Sequence, residues 1–585
     1  MTEKLIIANC SGFLGDRMTA AKELIEGGRI DVLTGDYLAE LTMALLFRMK
    51  MKSPEAGYAT PFLKQMEGVM GACMEKGIRI VANAGGLNPK GLAAELGKIA
   101  KALGISPIIA CIEGDDLLPR LGDLQEKGEL FSHLDKNIPL KEAKAQSITA
   151  NAYLGGWGIT TALDQGADIV VGGRIADAAL VSGPAAWKFG WKKDDWDRLA
   201  GAYAAGHIIE CGTQATGGNY SFFDEVPSFK NMGFPIAEIH EDGSFVITKH
   251  PGTGGLVSVG TVTAQLMYEI REPGYLTPDV TARFDTIRLE QAGKDRVAAS
   301  NTKGEPPTPF SKMCINNLWG FRNTMTVVLT GLDIEKKAAL VEEALFDLLG
   351  GKDQFAAVDV QLIRSDKLDP KNNDEALAQL RICLMDPDQK KVGKLFSAKL
   401  VELALSSIPG FTLTAPPSKA SPAIQHWPTL VSKKFIQEKV FVNNTELIVD
   451  SVDPMGETVT VDPVTMEMEA VAMDELTEIP LGQLFGTRSG DKGGNANLGV
   501  WAKDPKAFSF LYDFLTCQRL KQLLPDMEAF EIDRHEFPNL LALNFYIKGV
   551  LGEGVAASVR TDPQAKTLGE YLRAKRIKVP AAILG

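Results

Sequence analysis

Over the first 190 or so residues, short β-branched runs alternate with amphipathic helical stretches, and this pattern limits the fold more than anything else in the chain. The runs are Leu5–Ala8, Asp31–Leu33, Ile78–Ala82, Ile105–Cys111 and Ala167–Val171. Helical stretches such as Thr19–Glu26, Leu41–Met51 and Gly91–Leu103 lie between them. Such alternation predicts βαβ units, hence a parallel sheet with helices on both faces. Ligands of such sheets sit beyond the strand C-termini. Three loops stand there: Asn9–Gly12, Asn83–Pro89 and Gly172–Asp177.

The chain continues with Gly-, Thr- and aromatic-rich residues 200–310, which read as the second half of the same unit. Residues 322–415 then follow a strand, helix, strand, strand, helix, strand order, the split βαβ pattern. A Pro- and Lys-bearing link over Ala415–Lys434 leads to two short strands and a polar connector. A last α+β unit starts near Thr477, with helices expected over Ala507–Leu524 and Thr567–Lys575. The expected fold class is therefore α/β: a large parallel-sheet main domain (1–320), a ferredoxin-like βαββαβ subdomain with linker (321–455), and a small C-terminal α+β domain (477–585).

Composition removes several classes. The 585 residues carry a net charge of −12 and no Lys/Arg-rich stretch, so nucleic acid and anionic membranes are poor partners. No apolar run approaches the roughly 18 residues of a membrane span. The start lacks the basic and long apolar regions of a signal peptide. Seven scattered cysteines without a C-x-x-C pair read as reduced thiols in a cytoplasmic protein. Six histidines show no zinc spacing, and no metal is expected. Glycine is in surplus, 57 residues, against a usual share of about 7 %. Much of the surplus falls in loops that also carry polar side chains.

Five such loops are candidate sites. In NAGGLNPKG, Asn83, Gly85, Gly86 and Asn88 would offer backbone and amide donors to an anion ahead of a helix N-terminus, or form only a capped strand-to-helix turn. In GGRIADAAL, an Arg174 fork would grip a carboxylate or phosphate with Asp177 orienting it, or the two would pair internally. ECGTQATGGNYS sets Glu210 beside Cys211, with His207 one turn upstream. Either residue would transfer protons, His207 serving the thiol as base, unless the cysteine is a buried structural one. In HPGTGGLVSVGTV, Gly254 and Gly255 would aim donors at an anion or would cap a helix. In GTRSGDKGGNANLGV, Arg488, Ser489, Asp491, Lys492, Asn495 and Asn497 crowd within ten residues, more polarity than a solvated hairpin turn requires.

Six ordered segments, GDYLAELTM (35–43), NAGGLNPKGLA (83–93), GGRIADAAL (172–180), ECGTQATGGNY (210–220), VSVGTVTAQLMYEI with YLTPDV (257–280) and TRSGDKGGNANLGV (487–500), resemble the acyclic terpene utilisation protein A family over the whole chain. The resemblance implies a cytoplasmic protein in the breakdown of branched or terpenoid acids carried as coenzyme A thioesters. Its expected function is that of a catabolic lyase or hydratase acting on an acyl-CoA or related carboxylic acid. No cofactor is expected beyond the coenzyme A of the substrate, and the chain is expected to form a homo-oligomer. Arg174, Asp177, Asn83, Gly85, Gly86, Asn88, Gly254, Gly255, Arg488, Ser489 and Asn495 would bind substrate. Glu210, Cys211 or Asp491 would move protons, and Lys492 would stabilise developing negative charge. Two alternatives remain: a non-catalytic acyl-CoA- or nucleotide-binding assembly partner of a pathway enzyme, and metal-dependent phosphoryl chemistry.

Overall fold

A computed structural model describes residues 3–452, 461–473 and 475–584. The connector expected beyond residue 452 lies partly outside them. Strands β1 (Lys4–Asn9), β2 (Val32–Gly35), β3 (Arg79–Ala82), β4 (Ile109–Glu113) and β5 (Ile169–Gly172) pair in parallel in the order β1-β2-β3-β5-β4. All five match runs recognised in the sequence. Near-continuous burial explains why these runs are apolar throughout rather than alternating. Ile7, Val32, Val81 and Val170 face one core, under the helices Trp157–Asp164, Ala179–Phe189 and Trp196–Ile209. Leu33, Ile80, Ala82 and Ile169 face the other, under Ala20–Gly27, Thr60–Lys76 and Pro89–Leu103.

Antiparallel strands extend this sheet to eleven on both sides. Ile236–His240 pairs with β1, and Glu438–Val442 pairs with β4. The chain thus returns to the first sheet after a long excursion that begins with β6, the 21-residue strand Phe310–Thr330. β6 continues into a helix at Ile334–Leu349, strands at Ala357–Ile363 and Leu377–Asp386, a helical turn at Phe396–Glu402 and a short strand at Thr412–Leu413. Residues 415–434, expected as a link, are mostly β7, the strand Ser421–Ser432, which pairs with the first half of β6. Pro422 and Pro428 in that run disguise it, because proline usually marks a break in a central strand.

The C-terminal unit is a four-stranded antiparallel sheet. Its first two strands, β8 (Gly486–Lys492) and β9 (Asn495–Trp501), form a hairpin closed by Gly493 and Gly494. The polar segment 486–502 is therefore a hairpin, as its Asp-Lys-Gly-Gly sequence allows, but not a solvated one. Arg488, Ser489, Asn495 and Asn497 are buried. No helix among the described residues is long and apolar enough to cross a membrane.

Two glycines distinguish necessary from incidental ones. A β-carbon at Gly85 would stand 2.5 Å from the Gly172 carbonyl oxygen and 2.8 Å from Pro89 Cα, atoms that cannot step aside. Gly68, exposed on the helix Thr60–Lys76, has open space there. Gly68→Ala is expected to raise the unfolding free energy by roughly 0.5–1 kcal/mol. Gly85→Ala is expected to lower it by about 1–3 kcal/mol. Denaturant titration of the two variants checks both signs.

Candidate active site

The C-terminal ends of the parallel strands converge on one cluster of charge. Asp36 directly follows β2, Asn83 directly follows β3, and Arg174 lies two residues beyond β5. Asn83 Nδ2 donates to Asp36 Oδ1 at 2.6 Å, and its own Oδ1 accepts from the Tyr37 amide at 2.9 Å, so the asparagine fixes the carboxyl that follows β2. Arg174 is held on three sides. Its amide donates to Asp115 at 2.9 Å, its guanidinium donates to Asp177 at 2.5 Å and to the Tyr153 hydroxyl at 3.1 Å, and it stacks on the Tyr153 ring.

Glu210 and His207 arrive on the helix Trp196–Ile209, which is buried from Leu199 onward. Asn9, the last residue of β1, donates its side-chain amide to the carbonyls of Ile209 and Glu210 at 2.8 and 3.0 Å. These are terminal carbonyls that the helix itself leaves unbonded. The cap pins Glu210 against the end of β1. His207 Nδ1 lies 3.2 Å from Glu210 Oε1, while Glu210 Oε2 is buried without a hydrogen-bond partner.

The hairpin supplies the opposite wall. Asn497 on β9 donates to the Met267 carbonyl at 2.7 Å and accepts from the Glu269 amide at 2.8 Å. This clasp holds Glu269 in a left-handed backbone conformation, φ 54°, which non-glycine residues rarely adopt. Arg488 on β8 stacks on Tyr268 and donates to Gln214, and Ser221 Oγ donates to the Thr487 carbonyl at 2.6 Å. Lys492, at the tip of the hairpin, is thereby brought close enough to act electrostatically on both Glu210 and His207.

The electrostatics follow from burying several acids together. Burial pushes the Glu210 carboxyl well above its usual range, Asp177 and Glu269 push it further, and Lys492 and Arg174 pull against them. Asp36 is raised for the same reasons, burial first and Asp177 next, against Arg174 and the Asn83 hydrogen bond. His207 is lowered to about 4 by burial, with Lys492 adding to the fall.

Arg174, Asp177, Glu210 and Lys492 thus act on one another in one place, and Asn83 holds the neighbouring Asp36. Asp491 sits beside Lys492 at the half-buried tip. The remaining expected residues have other tasks. Burial and the carboxyls of Glu210, Glu269 and Asp36 push the Cys211 thiol well above its usual range, which disfavours the thiolate that a nucleophile needs. The Gly85 amide donates to Gly172 and the Gly86 amide to Asn83, while Asn88 caps the helix Pro89–Leu103. The amides of Gly254 and Gly255 donate to the carbonyls of Asn231 and Ser228, so the donors expected there for an anion are already engaged. Ser489 accepts from Gly569, and Asn495 donates to the Tyr546 hydroxyl, both within the C-terminal unit. Arg488 braces the two units against each other. Among the described residues, no three His, Cys, Asp or Glu side chains are placed to hold a metal ion.

The family model described as acyclic terpene utilisation family protein AtuA matches residues 5–442. The chain belongs to the AtuA family. A second model, the AtuA ferredoxin-like domain, matches residues 479–578. The family's ferredoxin-like domain is therefore the hairpin-bearing C-terminal unit, expected from the sequence only as α+β, while the βαββαβ order expected within residues 321–455 is present there as well. Neither a curated protein nor a solved structure matches the chain. Asp36, Arg174, Asp177, Glu210 and Glu269 come from the main AtuA match, and Lys492, with the hairpin that carries it, comes from the second one.

His207 leads to a pH prediction. Its proton affinity is lower in the folded chain than in the unfolded one, so the folded state is favoured above pH 6.5 and loses that advantage as the pH falls towards 4. This group alone contributes about 3 kcal/mol to the loss. His207→Phe, which keeps a ring beside Tyr275 and Phe284, is expected to flatten that part of the acid unfolding curve, followed by urea titration at fixed pH.

Proposed function

We infer that this AtuA-family chain is a cytoplasmic lyase or hydratase acting on a branched or terpenoid acyl-CoA or a related carboxylic acid. The observation that carries this reading is the buried Glu210–His207 pair facing Arg174 and Lys492. A carboxyl that burial makes hold its proton more tightly than usual, beside an imidazole whose cation burial disfavours, offers a proton donor and acceptor at one place. Two cations reaching it from different units suit the oxygen atoms of a carboxylate or of an enolising thioester.

Addition or removal of water next to a carbonyl needs these parts. A base removes the proton from the carbon next to the carbonyl: His207, uncharged because burial disfavours its cation, or Asp36 as its carboxylate. As that electron pair moves in to form the double bond, Glu210 gives its proton to the departing hydroxyl. Arg174 and Lys492 stabilise the charge that builds on the carbonyl oxygen. Asp177 keeps the Arg174 fork in its plane, and Asn83 keeps Asp36 turned inward. Coenzyme A arrives as part of the substrate.

Glu210→Gln preserves shape and one hydrogen-bonding oxygen but cannot give up a proton as the acid does. It is expected to lower kcat by about 10²- to 10⁴-fold on an enoyl- or 3-hydroxyacyl-CoA substrate. Arg174→Ala is expected to act mainly on KM. Unchanged turnover in both variants refutes the assignment. Recovery from the native host in stoichiometric complex with a carboxylase or hydratase, with no turnover by the chain alone, favours the assembly-partner reading.

Lys492 offers a test through pH. Its positive charge favours the Glu210 carboxylate, so removing it makes the proton harder to lose. In Lys492→Met the alkaline limb of the pH–rate profile is expected to move to higher pH, and in Lys492→Arg to stay where it is.

A further inference from the structure

A second pair of reactive groups stands beside the cluster, on strands that no motif marks. Cys314 lies on β6 and His426 on β7, 112 positions apart in the chain, and the thiol sulfur is 3.2 Å from His426 Nδ1. The register pairs Cys314 with Pro428 and Asn316 with His426, so thiol and imidazole meet as diagonal neighbours on one face. Met313 and Ile315 fill the core around Trp427 on the other face. Strand alternation therefore turns Lys312, Cys314 and Asn316 together away from that core.

The face they share is a wall of the site. The Lys312 ammonium is 4.9 Å from the centre of the Tyr153 ring, and the same ring carries the Arg174 guanidinium at 4.2 Å. The His426 ring lies against the hairpin tip: a β-carbon at Gly493 would stand 3.2 Å from His426 Cδ2, next in sequence to Lys492. This environment is the reverse of that around Cys211. Cys211 is surrounded by carboxyls that disfavour its thiolate, whereas Cys314 touches an imidazole and has a lysine two residues away on its own face.

We propose that Cys314 and His426 are a thiol–imidazole nucleophile that takes the acyl group from the thioester substrate and holds it beside Glu210. This rests on the acyl-CoA reading above. His426 Nδ1 accepts the thiol proton as Cys314 Sγ bonds to the thioester carbonyl carbon. The bond from that carbon to the sulfur of coenzyme A breaks, and the departing thiolate takes the proton from His426. The products are free coenzyme A and an acyl-Cys314 thioester, and attack by the coenzyme A thiol reverses the step after the acyl chain has reacted. No oxidant or further reactant is required.

The test uses the full chain and isovaleryl-CoA, a branched thioester with no hydroxyl to eliminate. Acid quenching followed by peptide mass analysis is expected to show one isovaleryl group on Cys314 and an equivalent of free coenzyme A. The adduct is expected to survive Cys211→Ser and to disappear in His426→Gln. Without any acyl-CoA, iodoacetamide is expected to alkylate Cys314 at pH 7 about tenfold faster in the parent than in His426→Gln, which makes the result independent of whether Cys314→Ser folds. An unmodified Cys314 after isovaleryl-CoA treatment, or alkylation indifferent to His426, overturns the proposal. If Glu210→Gln loses turnover while Cys314→Ser keeps it, the nucleophile is refuted and the acid–base reading stands. An acyl-Cys314 adduct in a chain that turns over no enoyl- or 3-hydroxyacyl-CoA upholds the nucleophile and refutes the lyase or hydratase.

Discussion

The clasp of Asn497 on the Met267–Glu269 turn is the contact on which the charge cluster depends. One side-chain amide satisfies a carbonyl and an N–H that the turn would otherwise bury unpaired, an outcome that would cost about 1–3 kcal/mol for each group. The clasp also keeps Glu269 in a backbone conformation it would not choose, and it sets the depth at which the hairpin docks. Gly490 and Gly499 make the approach close, since β-carbons there would stand 2.4 Å from the Tyr268 ring and 2.7 Å from Met267 Cβ. Lys492 reaches the buried acids because these contacts leave the hairpin no other place to lie.

Around that docking the site follows a consistent physical logic. Carboxyls gathered at the C-terminal ends of parallel strands repel one another, and burial raises the cost of charging any of them. Two cations offset part of that cost, but not all of it. The outcome is that Asp36 and Glu210 hold their protons more tightly than surface carboxyls do. Asn9 on the terminal carbonyls of the helix Trp196–Ile209, Asn83 on Asp36 and Asp115 on the Arg174 amide keep the groups in place. A fixed arrangement need not reorganise when charge moves within it.

Much of this was legible in the sequence where function is local. The parallel strands announce themselves as short β-branched runs between amphipathic helical stretches, and Arg174, Asp177, Glu210 and Lys492 stand out as charges among small residues. Gly254 and Gly255 look the same but serve neighbouring carbonyls, because a glycine loop does not reveal whether its amides are already taken. Asp36 and Glu269 were within reach: a lone acid one residue past a buried strand, and a Glu closing an otherwise buried helical stretch, are both costly placements. Cys314 and His426 were not, because their meeting depends on a register between strands far apart in sequence. The prolines of β7 concealed even the strand itself.

The 21-residue strand β6 pairs with the strand Gln146–Ala152 and with β7 over its first half, and with the strand Leu377–Asp386 over its second. Such a strand cannot fray where Lys312 and Cys314 sit without breaking ladders on both flanks at once. Slow amide exchange is therefore the natural state of this wall, and the nucleophile it carries sits on one of the most firmly laddered stretches of the chain.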